Sequence, residues 1–432
     1  MLKKISYPLK GEAIQPNING LNKLHAHICL FDSNVKSNTT GTVKHPQLLA
    51  VGATQELRIK ADTNALEQLQ QFCDRNKGWK FGYLSYDLKN ETEELSSENN
   101  DGLAFPLLHF FSPRVVIETR ATEHLLHFDE EQVGEAEAKA IYETAYNSQS
   151  ALTARNSVTG IKNRITKEEY LSAFKALKSH ISRGDVYEIN FCQEFFSEHT
   201  EIDPAEMYAR LNRLSEAPFA AFCRFDDHYL LSSSPERFLQ KQGSTLISQP
   251  IKGTIRRAAG KAEDEQLKSQ LRSDPKEQNE NVMIVDLVRN DLSRIAKKGT
   301  VKVDELFGIY SFKQVHQMIS TVSCGLKENT SFTDILRATF PMGSMTGAPK
   351  VRALQLIEQY ESMKRGLYSG AVGYIDPDGD FDFSVVIRSI LYNSANGYLS
   401  FMTGSAITSN ADGEQEYAEC LLKARAMFDA LK

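Results

Sequence analysis

Apolar residues in this chain change their spacing irregularly, and that irregularity is what most limits the fold. Residues 26–30 and 113–118 are short strand-like runs between polar turns. Residues 167–182 instead carry Tyr170, Phe174, Leu177 and Ile181 at helical spacing. Strand runs return at 186–196, 229–233, 370–375 and 383–391, the last two joined by the turn Asp376-Pro377-Asp378-Gly379-Asp380. A doubly wound parallel sheet needs regular strand–helix alternation. Its absence favours α+β layering.

Two polar runs punctuate this pattern. Residues 91–102 read as an exposed loop, and the Ser/Thr-rich residues 147–163 as a linker. The expected organisation is an N-terminal region at 1–146, the linker, and a longer region at 164–432. A chain of 432 residues is long enough for a sizeable core. Its net charge of -6 provides no basic footprint for nucleic acid. No apolar run reaches the length of a signal peptide or a membrane span. The six cysteines are scattered, with no Cys-x-x-Cys pair, and read as reduced thiols. A soluble cytoplasmic protein is the expectation.

Several segments hold residue types that can do chemistry. Pro250-Ile251-Lys252-Gly253-Thr254 sets a lysine between a rigid residue and one that lets the backbone approach a ligand. Alone, such a lysine is ordinarily solvated in a surface turn. To act as a nucleophile it must lose its proton, and its surroundings must then supply about 4–5 kcal/mol at neutral pH. Asp274 and Pro275 predict a helix start, with Val282, Val285, Val288, Leu292 and Ile295 as its core stripe and Gly299 as its end. Glu280 lies close to that stripe, where a solvated carboxylate is the ordinary reading.

A last helix is expected at 414–431, with Tyr417, Leu421, Ala424, Phe428 and Leu431 on one face and Glu416, Glu419 and Lys423 on another. Two carboxylates and a lysine together suit a hard cation and an anionic substrate, or equally a solvated face with an i,i+4 pair. The segment from Phe340 through Met342, Gly343, Ser344 and Gly347 to Lys350 is a Gly-rich turn opening a helix; it offers backbone N–H groups to an anion or is simply a helix entry. It is not a Walker loop. The aspartates at 376, 378, 380 and 382 alternate like a calcium loop but lack its central glycine spacing and terminal glutamate, and read as a hairpin turn. His316 alone is more ordinarily a packed histidine. No nucleophile elbow of the Gly-x-Cys-x-Gly type is present, so no glutaminase is expected in this chain.

Taken in order, the segments resemble the chorismate-utilising family, which comprises component I of anthranilate synthase and of aminodeoxychorismate synthase together with the isochorismate and salicylate synthases. The resemblance covers residues 165–432, with a weaker family-like N-terminal part. It rests on Pro250 to Thr254, Glu280 to Leu292, Val315-His316, Phe340 to Lys350, Tyr368-Ser369-Gly370, Ile387-Arg388 and the Glu416/Glu419/Lys423 helix. It implies a large mixed α/β sandwich of antiparallel-rich β-sheets flanked by helices. Pro-Ile-Lys-Gly-Thr is the form of the aminodeoxychorismate branch, whereas anthranilate synthases resemble Pro-Ile-Ala-Gly-Thr. Isochorismate and salicylate synthases carry a lysine base at the position of Glu188, and the aminating branch commonly a glutamine. Glu188 departs from both.

The resemblance implies that Lys252 is a nucleophile, Glu236 a general acid/base and His316 a histidine near the leaving group. It implies Mg2+ on Glu280 and Glu419, with Glu416 as a neighbour. Arg388 and Tyr368 would bind the enolpyruvyl carboxylate, and Gly253, Thr254, Gly404, Ser405, Ala406 and Lys423 would lie against the substrate. Ala406 stands where a glycine is usual, and Met342 where a small residue is common. The implied product is 4-amino-4-deoxychorismate, on the route to 4-aminobenzoate and folate. Because the chain stops at Lys432, a separate glutamine amidotransferase subunit is expected to supply ammonia and a separate lyase to finish the route. Rival readings are anthranilate synthase component I, isochorismate synthase and a non-catalytic binding subunit. Cys29-Leu30-Phe31-Asp32-Ser33, with Pro218-Phe219-Ala220, lies where relatives carry a tryptophan-binding segment; the match is loose, and tryptophan is not an expected ligand.

Overall fold

The computed structural model describes residues 2–9, 15–34, 43–61, 64–93, 95–147, 158 and 160–432. Most of the expected linker at 147–163 lies outside them. Among the described residues twenty strands join in one hydrogen-bonded network, and all their pairings are antiparallel. Helices cover the outside, so the α+β expectation holds.

The sheet is organised by two long strands, Gln47–Ile59 and Leu108–Thr119, which pair from Gln47↔Thr119 to Ile59↔Leu108 with an irregularity between Ala53 and Gln55. From the Gln47 end one branch runs through His27–Asp32, Phe219–Phe225, His228–Ser234, Ser389–Asn393 and Tyr398–Thr408 to Glu188–Ser197. From the Leu108 end another runs through Lys80–Leu84, Ala371–Ile375, Phe381–Val385, Arg237–Gln242 and Thr245–Gln249 to Val315–Gly325 and Ile251–Arg256.

Side chains on a strand alternate between faces, and this alternation builds the layers. Leu48 and Ala50 enter a core between the branches with Phe81, Val372, Phe383 and Leu239. Leu49 and Val51 enter a second core, against the outer helices, with Leu30, Phe222, Leu231 and Met427. Residues buried on both faces account for the near-continuous apolar runs at 48–51 and 220–223.

Helix Lys167–Ser182 forms at its expected place, with a capping box between Thr166 and Glu169. Helix Pro275–Ser293 begins as expected, and the Asp274 carboxylate accepts from the backbone N–H groups of Lys276 and Glu277. Its buried stripe differs from the sequence reading. Val282 is 40% exposed, while Glu280 and Asn281 turn inward with Ile284, Val285 and Val288. The last helix, Gly413–Ala430, is also rotated: Leu421 is exposed, and Glu416, Cys420, Ala424 and Met427 are buried. In both cases inward-facing glutamates occupy part of the face that the apolar pattern assigned to Val282 and Leu421. The expected strand at 383–391 is two strands, Phe381–Val385 and Ser389–Asn393. Between them Arg388 takes a left-handed backbone, φ 52°. The aspartate turn is a hairpin, in which the Asp376 carboxylate accepts from the N–H groups of Asp378 and Asp380. No helix among the described residues is long and apolar enough to cross a membrane.

Candidate active site

The two sheet branches end against each other at Lys252. Its strand pairs Ile251 with Ile319 and Thr254 with Gln317, so one extra residue bulges between the pairs. Gly253 adopts φ 92° there, and a Cβ on it would stand 3.1 Å from the Glu277 carboxylate. A bulge at the glycine, rather than a surface turn, carries Lys252 inward. The lysine is 9% exposed and its ammonium pairs with Glu188 at the start of the opposing strand. Burial alone would lower the lysine pKa, but Glu188, with Glu280 and Glu236 nearby, raises it above the usual value. Glu188 is itself buried, and its second oxygen has no hydrogen-bond partner.

Glu236 sits in the turn between strands His228–Ser234 and Arg237–Gln242, also buried. The Ser344 hydroxyl donates to it at 2.6 Å. Burial pushes its carboxyl up to about 7, so it exchanges its proton near neutral pH. A small pocket opens beside Glu236 and Ser344, walled by Phe238, Pro250 and Met342.

Ser344 belongs to the Gly-rich turn, whose place comes from backbone pairing rather than from a phosphate-type helix entry. Gly347 and Ala348 pair with Ile189 and Glu188, and Asn190 N–H donates to Thr346 O at 2.8 Å. Arg365, 2% exposed, fastens this arrangement. It donates to Met345 O at 2.6 Å and Asn190 O at 2.9 Å, while its ion pair with Glu361 is also buried. The i,i+4 spacing of Glu361 and Arg365 was the available sequence signal, but it looks like any surface pair.

Helices Pro275–Ser293 and Gly413–Ala430 bring a carboxylate cluster to the same place. Glu280 and Glu416 are buried, and Lys276 Nζ lies 3.9 Å from Glu280 and 3.5 Å from Glu416. Glu280 Oε1 is buried without a hydrogen-bond partner. Burial, reinforced by neighbouring Glu188 and Glu277, pushes Glu280 up to about 7; burial and Glu419 raise Glu416. Glu419 pairs with Lys423, which holds it below the usual carboxylate value against the effect of burial. Carboxylate oxygens are the donors a hard divalent cation takes, so these residue types suit Mg2+, with Lys276 standing between Glu280 and Glu416 in this structure. Glu277 and Lys276, which the sequence reading did not single out, belong to this cluster.

Strand Tyr398–Thr408 supplies the floor. Gly404 O accepts from Lys423 Nζ at 3.0 Å, and a Cβ on Gly404 would meet Asn190 and Cys192 at 2.5 Å. Ser405 is buried, its hydroxyl 3.0 Å from Tyr170 Oη, and Ala406 is half-buried beside it. Tyr368 is buried, with Cys192 Sγ 3.9 Å from its hydroxyl. Arg388 is half-buried and makes no ion pair among the described residues, although Tyr368, Glu419 and Glu236 surround it electrostatically. An inward arginine without a carboxylate is a ready anion receptor.

Thr254 is exposed at the rim. His316 is fully buried with both ring nitrogens engaged, Nε2 at 2.9 Å from Asp264 and Nδ1 at 2.9 Å from Ser311. The structure thus gathers Lys252, Glu188, Glu236, Glu280, Glu416, Glu419, Lys423, Gly404 and Arg388, and ties His316 to the helix Lys261–Ser273. Separately, Phe31, Asp32 and Ser33 meet Pro218, Phe219 and Ala220 around a cavity of about 420 Å³.

Residues 26–429 match the chorismate binding enzyme family. The chain is 33% identical over 422 residues to aminodeoxychorismate synthase component 1 of Klebsiella aerogenes, covering 94% of this chain and 91% of the relative. It is 31% identical over 397 residues to the protein of that name from Escherichia coli K12, covering 88% and 86%. The anthranilate synthase component I structure from Streptococcus pneumoniae TIGR4 superposes with a TM-score of 0.77 at 24% identity, covering 90% of this chain and 93% of that one, which establishes a shared fold. On the match that spans nearly its whole length, this chain belongs to the chorismate-binding enzyme family.

Proposed function

We propose that this chain converts chorismate and ammonia to 4-amino-4-deoxychorismate through a covalent adduct on Lys252. The observation that carries the reading is the buried Lys252, in the Pro-Ile-Lys-Gly-Thr form of the aminodeoxychorismate branch, between Glu188, Glu236 and the carboxylate cluster. The naming of relatives that span most of this chain as aminodeoxychorismate synthases supports it.

Arg388 receives the enolpyruvyl carboxylate in bidentate fashion, with Tyr368 beside it. Gly253, Thr254, Gly404, Ser405, Ala406 and Lys423 line the ring. Glu280 and Glu419, with Glu416, would hold Mg2+, which when bound neutralises the ring carboxylate and withdraws electron density from the ring. Lys252 passes a proton to Glu188 and its neutral amine attacks the ring carbon beside the carboxylate-bearing one. The double bonds shift, the C4–O bond breaks, and Glu236 protonates the departing hydroxyl. Ammonia then attacks C4 and returns one proton to Glu236, the double bonds shift back, and Lys252 leaves and recovers its proton from Glu188. His316, fixed by Asp264 and Ser311, positions the strand that pairs with the Lys252 strand. Burial of the lysine and of both acid–base carboxylates keeps these transfers away from bulk water.

A glutamine amidotransferase subunit supplies the ammonia, in keeping with the "component 1" in the names of the relatives, and a separate lyase takes the product on to 4-aminobenzoate. The cytoplasm is the setting, in accord with six unpaired cysteines. The test is product identification with chorismate, Mg2+ and an ammonium salt. We expect 4-aminobenzoate only after a lyase is added. Fluorescent anthranilate without lyase, or turnover without ammonia to isochorismate, would overturn the assignment.

A further inference from the structure

Away from the Lys252 site, three strands near the fold's organising pair bring two imidazoles and a carboxylate to one point. His27 opens strand His27–Asp32, Glu56 lies on Gln47–Ile59, and His109 on Leu108–Thr119. His27 Nε2 is 2.9 Å from Glu56 Oε2, and His109 Nε2 is 3.6 Å from the same oxygen. All three donor atoms lie within 4.8 Å of one another. His27 is 8% and His109 1% exposed, yet neither Nε2 has a hydrogen-bond partner. At 2.9 Å the His27 nitrogen is close enough for a hydrogen bond to Glu56 but lacks its angle. Two buried imidazole nitrogens left unpaired beside one carboxylate cost free energy unless something else meets them.

We propose that His27, His109 and Glu56 form a binding site for a divalent transition cation of the Zn2+ class. Zn2+ bonds to imidazole nitrogen and carboxylate oxygen are about 2.0–2.2 Å long, so tetrahedral ligands stand roughly 3.3 Å apart. The separations of 2.9 and 3.6 Å bracket that value. The imidazoles meet edge to face with centroids 5.2 Å apart, so their nitrogens converge without stacking. Glu56 is half exposed, which opens the fourth position to water. Asp226 Oδ1 lies 3.9 Å from His27 Nε2, and Arg58 occupies its other oxygen at 3.0 Å, so the guanidinium is held on Asp226. The His2Glu set carries one negative charge, and nitrogen donors select a transition cation over Mg2+. The ion would staple three strands where the two sheet branches part.

The test uses the full chain, stripped with chelator and held in excess Mg2+ to fill the carboxylate cluster. Co2+ is titrated as a visible probe and displaced with Zn2+, and the thermal midpoint is followed against free Zn2+. We expect one Co2+ per chain with the absorption of a four-coordinate site, displacement by Zn2+, and a midpoint that rises with Zn2+. Glu56→Gln, at an exposed position that leaves folding intact, should weaken the ion at least tenfold and remove most of the thermal shift. His27→Ala should do the same. Failure of the wild-type chain to bind Co2+ or Zn2+ in excess Mg2+ would overturn the proposal. So would equal affinity in wild type, Glu56→Gln and His27→Ala.

Discussion

Replacing Glu188 with glutamine removes a charge from beside Lys252 while keeping the side chain's shape and one acceptor. Two unit charges about 3 Å apart interact by roughly 5 kcal/mol at an effective dielectric constant near 20. The glutamine carbonyl keeps about 1 kcal/mol of that as a hydrogen bond. The net loss of about 3–4 kcal/mol lowers the Lys252 pKa by roughly 2–3 units, from its present raised position. In the proposed wild-type route the proton that Lys252 gives up passes directly to its ion-pair partner Glu188 and need not leave for solvent. In Glu188→Gln the proton must leave for solvent, and the neutral fraction grows tenfold per pH unit up to the lowered pKa. Glu236 imposes the same alkaline decline on both proteins, so the ratio of variant to wild type isolates the lysine. The assay is the rate of Lys252 adduct formation with chorismate and Mg2+, without ammonia, followed by intact mass between about pH 6 and about pH 9. We expect the ratio to climb with pH. A flat ratio would refute the proton exchange. The sign for stability is also fixed. Because the folded lysine pKa is raised, the pair stabilises the fold below the unfolded lysine value and loses this as pH rises through the folded one. Glu188→Gln should therefore melt lower at pH 7.

Lys252→Ala should abolish the mass adduct and lower ammonia-dependent turnover by about 10³-fold or more; full activity would refute the covalent route. Glu236 acts in its protonated form with a pKa of about 7, so wild-type activity should fall as pH rises through that value. Glu236→Gln should remove this alkaline limb and cost roughly 10²–10⁴-fold in kcat. Glu280 ionises against burial and its neighbours, costing about 3 kcal/mol at pH 7. Glu280→Gln should then melt higher in Mg2+-free buffer while requiring at least tenfold more Mg2+ for activity, both read from titrations. Arg388→Lys keeps the charge but not the bidentate fork, and kcat/KM for chorismate should drop about 10–100-fold, chiefly through KM.

The sequence by itself determined the helix over 167–182, the helix start at Asp274, the aspartate hairpin, and the family, through motifs that keep their order along the chain. These are local properties: spacing, turn chemistry and residue type act within a few positions. Tertiary structure decided which way each element faces. Val282 and Leu421 fit an apolar stripe in sequence, yet they are exposed because the inward faces of their helices carry Glu280 and Glu416, which lie on either side of Lys276. The break at Arg388 was hidden because Phe383 to Leu391 reads as one apolar run, and only the pairing partners on either side split it. Glu188 gained a meaning that its own segment could not supply. It is the one carboxylate paired with Lys252, 64 residues away. Ionisation depends on burial and on charges brought close by folding, so the raised pKa values of Lys252, Glu236 and Glu280 belong to the assembled site and to no segment of the sequence.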